Sequence, residues 1–271
     1  MKASTLIRFA VCFSFGMTAL VFAQAPAVNA GGIVNAASFV PGQAVAPGSI
    51  VAIFGQQLAS QLAQADSVPW STSRANVTIT FNGIAAPIQF VSPTQINAQV
   101  PWEAFPSGSG SASVVVTNPG GVSSPQSVAV NTITPGVFQF SGHAIAVNVT
   151  DPMSARYGTL AAPSGSIPGL TTFPAQVNDF VFFYANGLGP LDSPVLSGHD
   201  SSDKTRSVTT KPTVLLGNTQ ANVLFAGLSP GFPGVYQVNI SVPQVPGGNA
   251  VPLQVQAGGI TSPDTTTIAV Q

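Results

Sequence analysis

One heptapeptide written twice constrains this chain more than any other feature. Gln95-Ile96-Asn97-Ala98-Gln99-Val100-Pro101 returns 142 residues later as Gln237-Val238-Asn239-Ile240-Ser241-Val242-Pro243. In both copies apolar residues take alternate positions, polar residues fill the others, and a proline closes the run. Alternation of period two is the mark of a strand with one buried face. Proline has no amide hydrogen to give a neighbouring strand, so it ends the ladder. A strand repeated at this distance predicts two copies of one β-rich unit.

The flanking sequence repeats the same grammar. Val77-Thr78-Ile79-Thr80-Phe81 alternates into Asn82-Gly83, the strongest short hairpin signal, and Val214 to Asn218 answers it. Ile50 to Leu58 is answered by Asp179 to Leu188, and Pro87 to Ser92 by Asn222 to Gly227. Val114 to Gly121 is answered by Val251 to Gly259, and Val128 to Val130 by Ile268 to Val270. Helical periodicity is nearly absent. Short strands at regular spacing, with 27 Gly and 24 Pro among 271 residues to turn between them, predict an all-β fold of two tandem immunoglobulin-like β-sandwich units from an internal duplication. The first is expected over residues 31–131 and the second over 132–271. Thr132 to Gln176 has no counterpart in the first unit's interior. It reads as opening strands followed by a long surface loop around residues 162–173.

Residues 1–23 read as a signal peptide. Lys2 and Arg8 precede the apolar run Phe9 to Ala23, and Val21-Phe22-Ala23 offers small residues for cleavage. The expected location is therefore secreted or extracytoplasmic: periplasm, cell surface or extracellular. Cleavage would also remove Cys12, the single cysteine, leaving a chain that stands without disulfides. It would leave five basic against eight acidic residues, with charged residues only 6% of the whole. That balance gives no footprint for a phosphate backbone, so nucleic acid is not an expected partner. No later apolar run reaches the roughly 20 residues that span a bilayer.

The set of segments Asn35-Ala36-Ala37-Ser38-Phe39, Ala46-Pro47-Gly48-Ser49, Ser92 to Asn97, Val100-Pro101-Trp102, Pro135 to Phe138, Gly187 to Pro190, Ala226-Gly227-Leu228 and Tyr236 to Asn239 resembles the uncharacterised "Solibacter C-terminal" domain family of acidobacterial secreted proteins. The resemblance implies an extracytoplasmic β-rich module with no assigned activity. It supplies no catalytic residues. The units also resemble IPT/TIG-type immunoglobulin-like folds, a likeness that speaks to architecture rather than function.

Five residues stand out as candidate binding residues. Gln95, Asn97, Gln237 and Asn239 could line a sugar-binding sheet face, since amides both donate and accept hydrogen bonds. Their presence in both copies favours the plainer role of tying the strand to its neighbours. Trp102, just past the terminal proline, would sit where loops cluster and could offer a flat ring to a sugar. Packing is the rival role, as for most of the 17 phenylalanines and for Tyr184 and Tyr236 within strands. The cluster His199 to Asp203 with Asp192 lacks calcium-loop spacing, and Lys204 and Arg206 follow it, so a solvated loop and no metal is expected. His143 and His199 are the only histidines, and no nucleophile elbow, Walker loop or zinc spacing is present.

The sequence therefore predicts a non-catalytic recognition or adhesion module, without cofactor, whose partner is an extracellular glycan or a surface protein. A structural surface component built by self-association through edge strands is the alternative. A secreted hydrolase comes third.

Overall fold

The computed structural model describes residues 24–263 and 265–271, so the leader expected at residues 1–23 lies outside the described residues. Among the described residues the chain is all-β, with a single short 3-10 turn at Trp102–Ala104.

The first unit is a sandwich of two sheets. One runs, in order, Ala27–Asn35, Ile50–Gln56, Gln95–Gln99, Ile88–Val91 and Ala63–Gln64. The other is centred on Gly110–Asn118, with Val77–Phe81 on one side and Gln126–Val130 on the other. The alternation in the sequence decides which faces meet. Val51, Ile53, Ile96, Ala98 and Val100 point inwards onto Ile79, Phe81, Val114 and Val116, all fully buried. The Asn82-Gly83 turn has positive φ at both residues, as a type I′ hairpin requires. Its return strand is only Ile84–Ala85, because the chain leaves at Ala86-Pro87 and crosses to the opposite sheet as Ile88–Val91. Proline cannot continue the ladder it interrupts.

The second unit follows the same plan with one informative difference. Where the first unit uses two strands parted by Pro87, the second uses one bent strand, Thr219–Leu228. Its first half pairs with Thr213–Leu216 and its second half with Tyr236–Ser241, with a bulge between Val223 and Phe225. Phe180–Asn186 lies on the other side of Tyr236–Ser241. Val181, Phe183, Tyr236, Val238, Ile240, Leu216, Leu253 and Val255 form its core.

The duplication extends to single hydrogen bonds. Val116 N–H donates to the Ser123 hydroxyl at 3.0 Å and Ser123 N–H returns to Val116 O at 2.8 Å. Val255 and Ser262 repeat both bonds at 3.1 and 2.7 Å.

The stretch around residues 162–173 forms no named strand and is exposed at residues 164–166 and 168–171, with buried anchors at its ends and centre. Ile167 is 2% exposed and Ala161 and Ala162 are fully buried. Thr172 donates to Pro163 O at 2.6 Å, and Asn148 reaches Phe173 O at 3.0 Å. Its Pro and Gly punctuation makes turns, while its few apolar side chains anchor it against the second core.

The two units meet through a network of polar groups, although the buried Trp102 Nε1 and the Thr134 hydroxyl find no partner among the described residues. Asn186, 0% exposed at the end of its strand, imitates a ladder partner for Ile50. Its carbonyl oxygen accepts Ile50 N–H at 3.0 Å, and its amide nitrogen donates to Ile50 O at 2.7 Å and to Asn35 Oδ1 at 2.8 Å. Asn35 in turn donates to Thr134 O at 2.9 Å. Buried Gln99 donates to Gly48 O at 3.0 Å and accepts Gly198 N–H. Apolar contact seals the same seam, with Phe138 and Val235 of the second unit packed on Val34, Ala36, Ile50 and Ala52 of the first.

Candidate binding site

Trp102 belongs to the seam. Its indole lies directly over Gly48, where a Cβ would stand only 1.9 Å from the ring, and Gly48 holds φ at +75°. Glycine is needed there twice over, for the close approach and for the backbone conformation. The ring is half-buried and packs against the second unit's core. Trp102 N–H donates to the Ser197 hydroxyl at 2.9 Å, and that hydroxyl donates to Glu103 Oε2 at 2.6 Å. Burial pushes the Glu103 carboxyl up, but the Ser197 hydroxyl and N–H together outweigh it and hold the group below the usual carboxylate value. Beside the indole lies a cleft of about 410 Å³ lined by Phe105, Leu191, Val195 and four prolines. Trp102 is thus a wedge between units with one side towards a groove.

The four amides form matching pairs. Gln95 donates to Asn97 Oδ1 at 2.8 Å, and Gln237 donates to Asn239 Oδ1 at 2.8 Å. All four are half-buried on the outward face of their sheet, two residues apart, where strand geometry places them side by side. The copies then diverge. Asn97 passes its own amide hydrogen to Gln89 Oε1 at 3.1 Å, closing a chain of three side chains. Leu224, 52% exposed, occupies the corresponding stretch of the second unit. Among the described residues the Asn239 amide nitrogen donates to no protein group.

The neighbours of the second pair are aromatic. Across the ladder Tyr184 faces Gln237, while Phe182 and Phe225 flank Asn239. Val181 and Phe183 point to the core, so Phe180, Phe182 and Tyr184 must point away from it. Phe182 and Tyr184 meet edge-on at 5.5 Å, and Tyr184 meets Phe232 in the same way at 5.7 Å. Phe180 and Phe232 are 45% and 51% exposed. Burial pushes the Tyr184 phenol up against the opposing pull of a hydrogen bond with Ser229. Tyr236, by contrast, is wholly buried and donates to Gly189 O. In the first unit Phe54 faces Gln95, and Asn97 lies between Ala52 and Phe90, so Phe90 matches Phe225 while Ala52 stands in the place of Phe182.

This row was not among the sequence candidates. Phe180-Val181-Phe182-Phe183-Tyr184 is apolar throughout, so no alternation told which residues face outwards. Phe232 lies in a turn and touches Tyr184 only through the fold.

The remaining sequence candidates are accounted for by protein partners. Asp203 makes a two-point contact with Arg206, at 2.6 and 2.9 Å, which holds its carboxyl at about 2. Asp200 accepts from Ser202 and from Gly231 N–H. His143 Nδ1 lies 3.2 Å from the Thr267 hydroxyl, while His199 is exposed and, among the described residues, only its backbone N–H is held, donating to Leu196 O. No group of three or more metal-binding side chains converges among the described residues.

Two antiparallel sandwiches in tandem, each built about the same strand pair, define a protein of immunoglobulin-like architecture. Residues 37–135 match the IPT/TIG domain family, so an IPT/TIG domain occupies most of the first unit. No curated protein matches the chain. Among solved structures it is similar to the I9-I11 tandem from titin, at 12% identity and a TM-score of 0.21, covering 90% of this chain and 65%, just under two thirds, of the titin tandem. Among the described residues no helix is long and apolar enough to cross a membrane.

Proposed function

We propose that the protein is a non-catalytic recognition module that works outside the cytoplasm and binds a neutral polysaccharide on the outward face of its second unit. The observation that carries this reading is the unspent Asn239 amide set between Phe182 and Phe225, beside the row Phe180, Phe182, Tyr184 and Phe232. Aromatic rings offer apolar area to the C–H face of a sugar, and amide and phenol groups select hydroxyls by donating to them. Along one strand face the backbone positions of such residues repeat at about 6.8 Å, and here the Phe182 and Tyr184 rings stand 5.5 Å apart, a row that suits an extended chain. The amides of the first unit, occupied with one another, serve the fold; those of the second serve both fold and ligand. Trp102 is assigned to the seam and not to the ligand.

The architecture fits this role, since many cell-surface domains share it. The leader-like residues 1–23 and the resemblance to the "Solibacter C-terminal" family point the same way, and residues 31–131 and 132–271 are taken as the two duplicated units. The test is an array of soluble and insoluble polysaccharides probed with the chain and with Phe182→Ala. Saturable binding to one neutral glycan class, weakened at least about tenfold in the variant, supports the reading. Binding that is indifferent to Phe182, or binding to proteins alone, would overturn it.

A further inference from the structure

The first unit carries a second, smaller aromatic platform. Phe39 is 48% exposed and holds φ at +56°, a left-handed conformation that a bulky side chain adopts at a cost. Its N–H is held by Asn35 O at 2.9 Å, and its ring lies 6.4 Å from that of Phe54. Phe54 is the residue facing Gln95, so it occupies the position that Tyr184 occupies in the second unit.

The two platforms are mechanically joined. Asn35 Oδ1 accepts Ala37 N–H, shaping the turn that presents Phe39, and also accepts the Asn186 amide at the end of the strand bearing Phe182 and Tyr184. Between them lies a shared apolar floor. Phe54, Phe138 and Val235 pack on Val34, Ala36, Ile50 and Ala52, and Phe138 N–H donates to Tyr184 O at 3.0 Å. The rings and the floor carry no charge. The acid bonded beside Phe232, Asp200, is occupied by Ser202 and Gly231.

We infer that Phe39 and Phe54 form a second subsite for the same ligand, so that the protein binds an uncharged, extended polysaccharide across both units rather than a short terminal sugar. This rests on the reading of the second unit's face given above. With the spacing fixed by Asn35 and Asn186, the second contact is made at high effective concentration and raises affinity without a further search. A left-handed phenylalanine then has a purpose, since that backbone turns the ring towards solvent and onto Phe54.

The probes are oligomers of increasing length from the neutral glycan class that binds on the array, or β-1,4-linked glucose oligomers where none does, titrated by calorimetry into the full chain, Phe182→Ala, Phe39→Gly and Phe39→Tyr. Glycine favours the left-handed conformation, so Phe39→Gly removes the ring without threatening the turn. Affinity of the unaltered chain should climb with oligomer length by about a hundredfold. Phe39→Gly should bind the shortest oligomers unchanged and lose most of that climb, Phe39→Tyr should keep it, and Phe182→Ala should lose binding at every length. A Phe39→Gly variant that climbs like the unaltered chain would overturn the second subsite while leaving the first reading intact. An unaltered chain that binds no oligomer of any length would overturn both.

Discussion

Asn186 shows how much one side chain can do when its amide stands where a strand would. It satisfies both the N–H and the C=O of Ile50 and the Oδ1 of Asn35, from a fully buried position. Asn186→Ala would strand the Ile50 N–H at the seam, while Ile50 O keeps the Ala36 N–H at 3.0 Å and Asn35 Oδ1 keeps the Ala37 N–H at 2.9 Å. One unsatisfied buried group costs about 1–3 kcal/mol, so the expected loss is about 2 kcal/mol, measured by denaturant unfolding, with the units separating before either core melts. Tyr236→Phe is a milder case: removing the hydroxyl leaves Gly189 O without its donor, at about 1–2 kcal/mol. Gln95 and Gln237 look alike in sequence and make the same bond to their Asn two residues on. What separates the copies is a third residue, Gln89 against Leu224, on another strand. That difference is visible in the sequence only after the strands have been put side by side.

At the scale of elements, the repeated strand and its alternation announced the sandwich, the inward faces and the Asn-Gly turn. The chemistry of proline and glycine made those features local. The outward face of Phe180–Asn186 was not legible, because both of its faces are apolar and only the register against Tyr236–Ser241 assigns them. Trp102 was legible as unusual but not as a wedge, since its partners Gly48 and Ser197 lie 54 and 95 residues away in opposite directions. Trp102→Ala would open a void over Gly48 and cost about 2–3 kcal/mol, less than the 3–5 typical of a fully buried aromatic because the ring is half-buried. Polysaccharide binding should survive the change when measured below the unfolding transition. Glu103 adds a pH term at the same seam. Its carboxyl is held below the ordinary value, so the stability it lends is present above about pH 4.3, the unfolded value, and is lost as pH falls through the folded value. Proteolysis between the units should quicken below about pH 4, and Glu103→Gln should weaken that dependence.

At the scale of the whole molecule, the two copies of one frame differ on their outward faces. The first closes its amide chain and shelters its outward face partly beneath Phe138 and Val235. The second leaves an amide open beside a row of aromatic rings. The most direct measurement is co-sedimentation with the insoluble polysaccharide that scores best on the array, comparing Asn239→Ala with Asn97→Ala. These are the same position in the two copies, and each change removes one amide from a half-buried strand face. Asn239→Ala should weaken binding about fivefold, the worth of roughly one hydrogen bond, while Asn97→Ala binds as the unaltered chain does. Equal loss in both variants, or loss confined to Asn97→Ala, would contradict the division of labour on which the account rests.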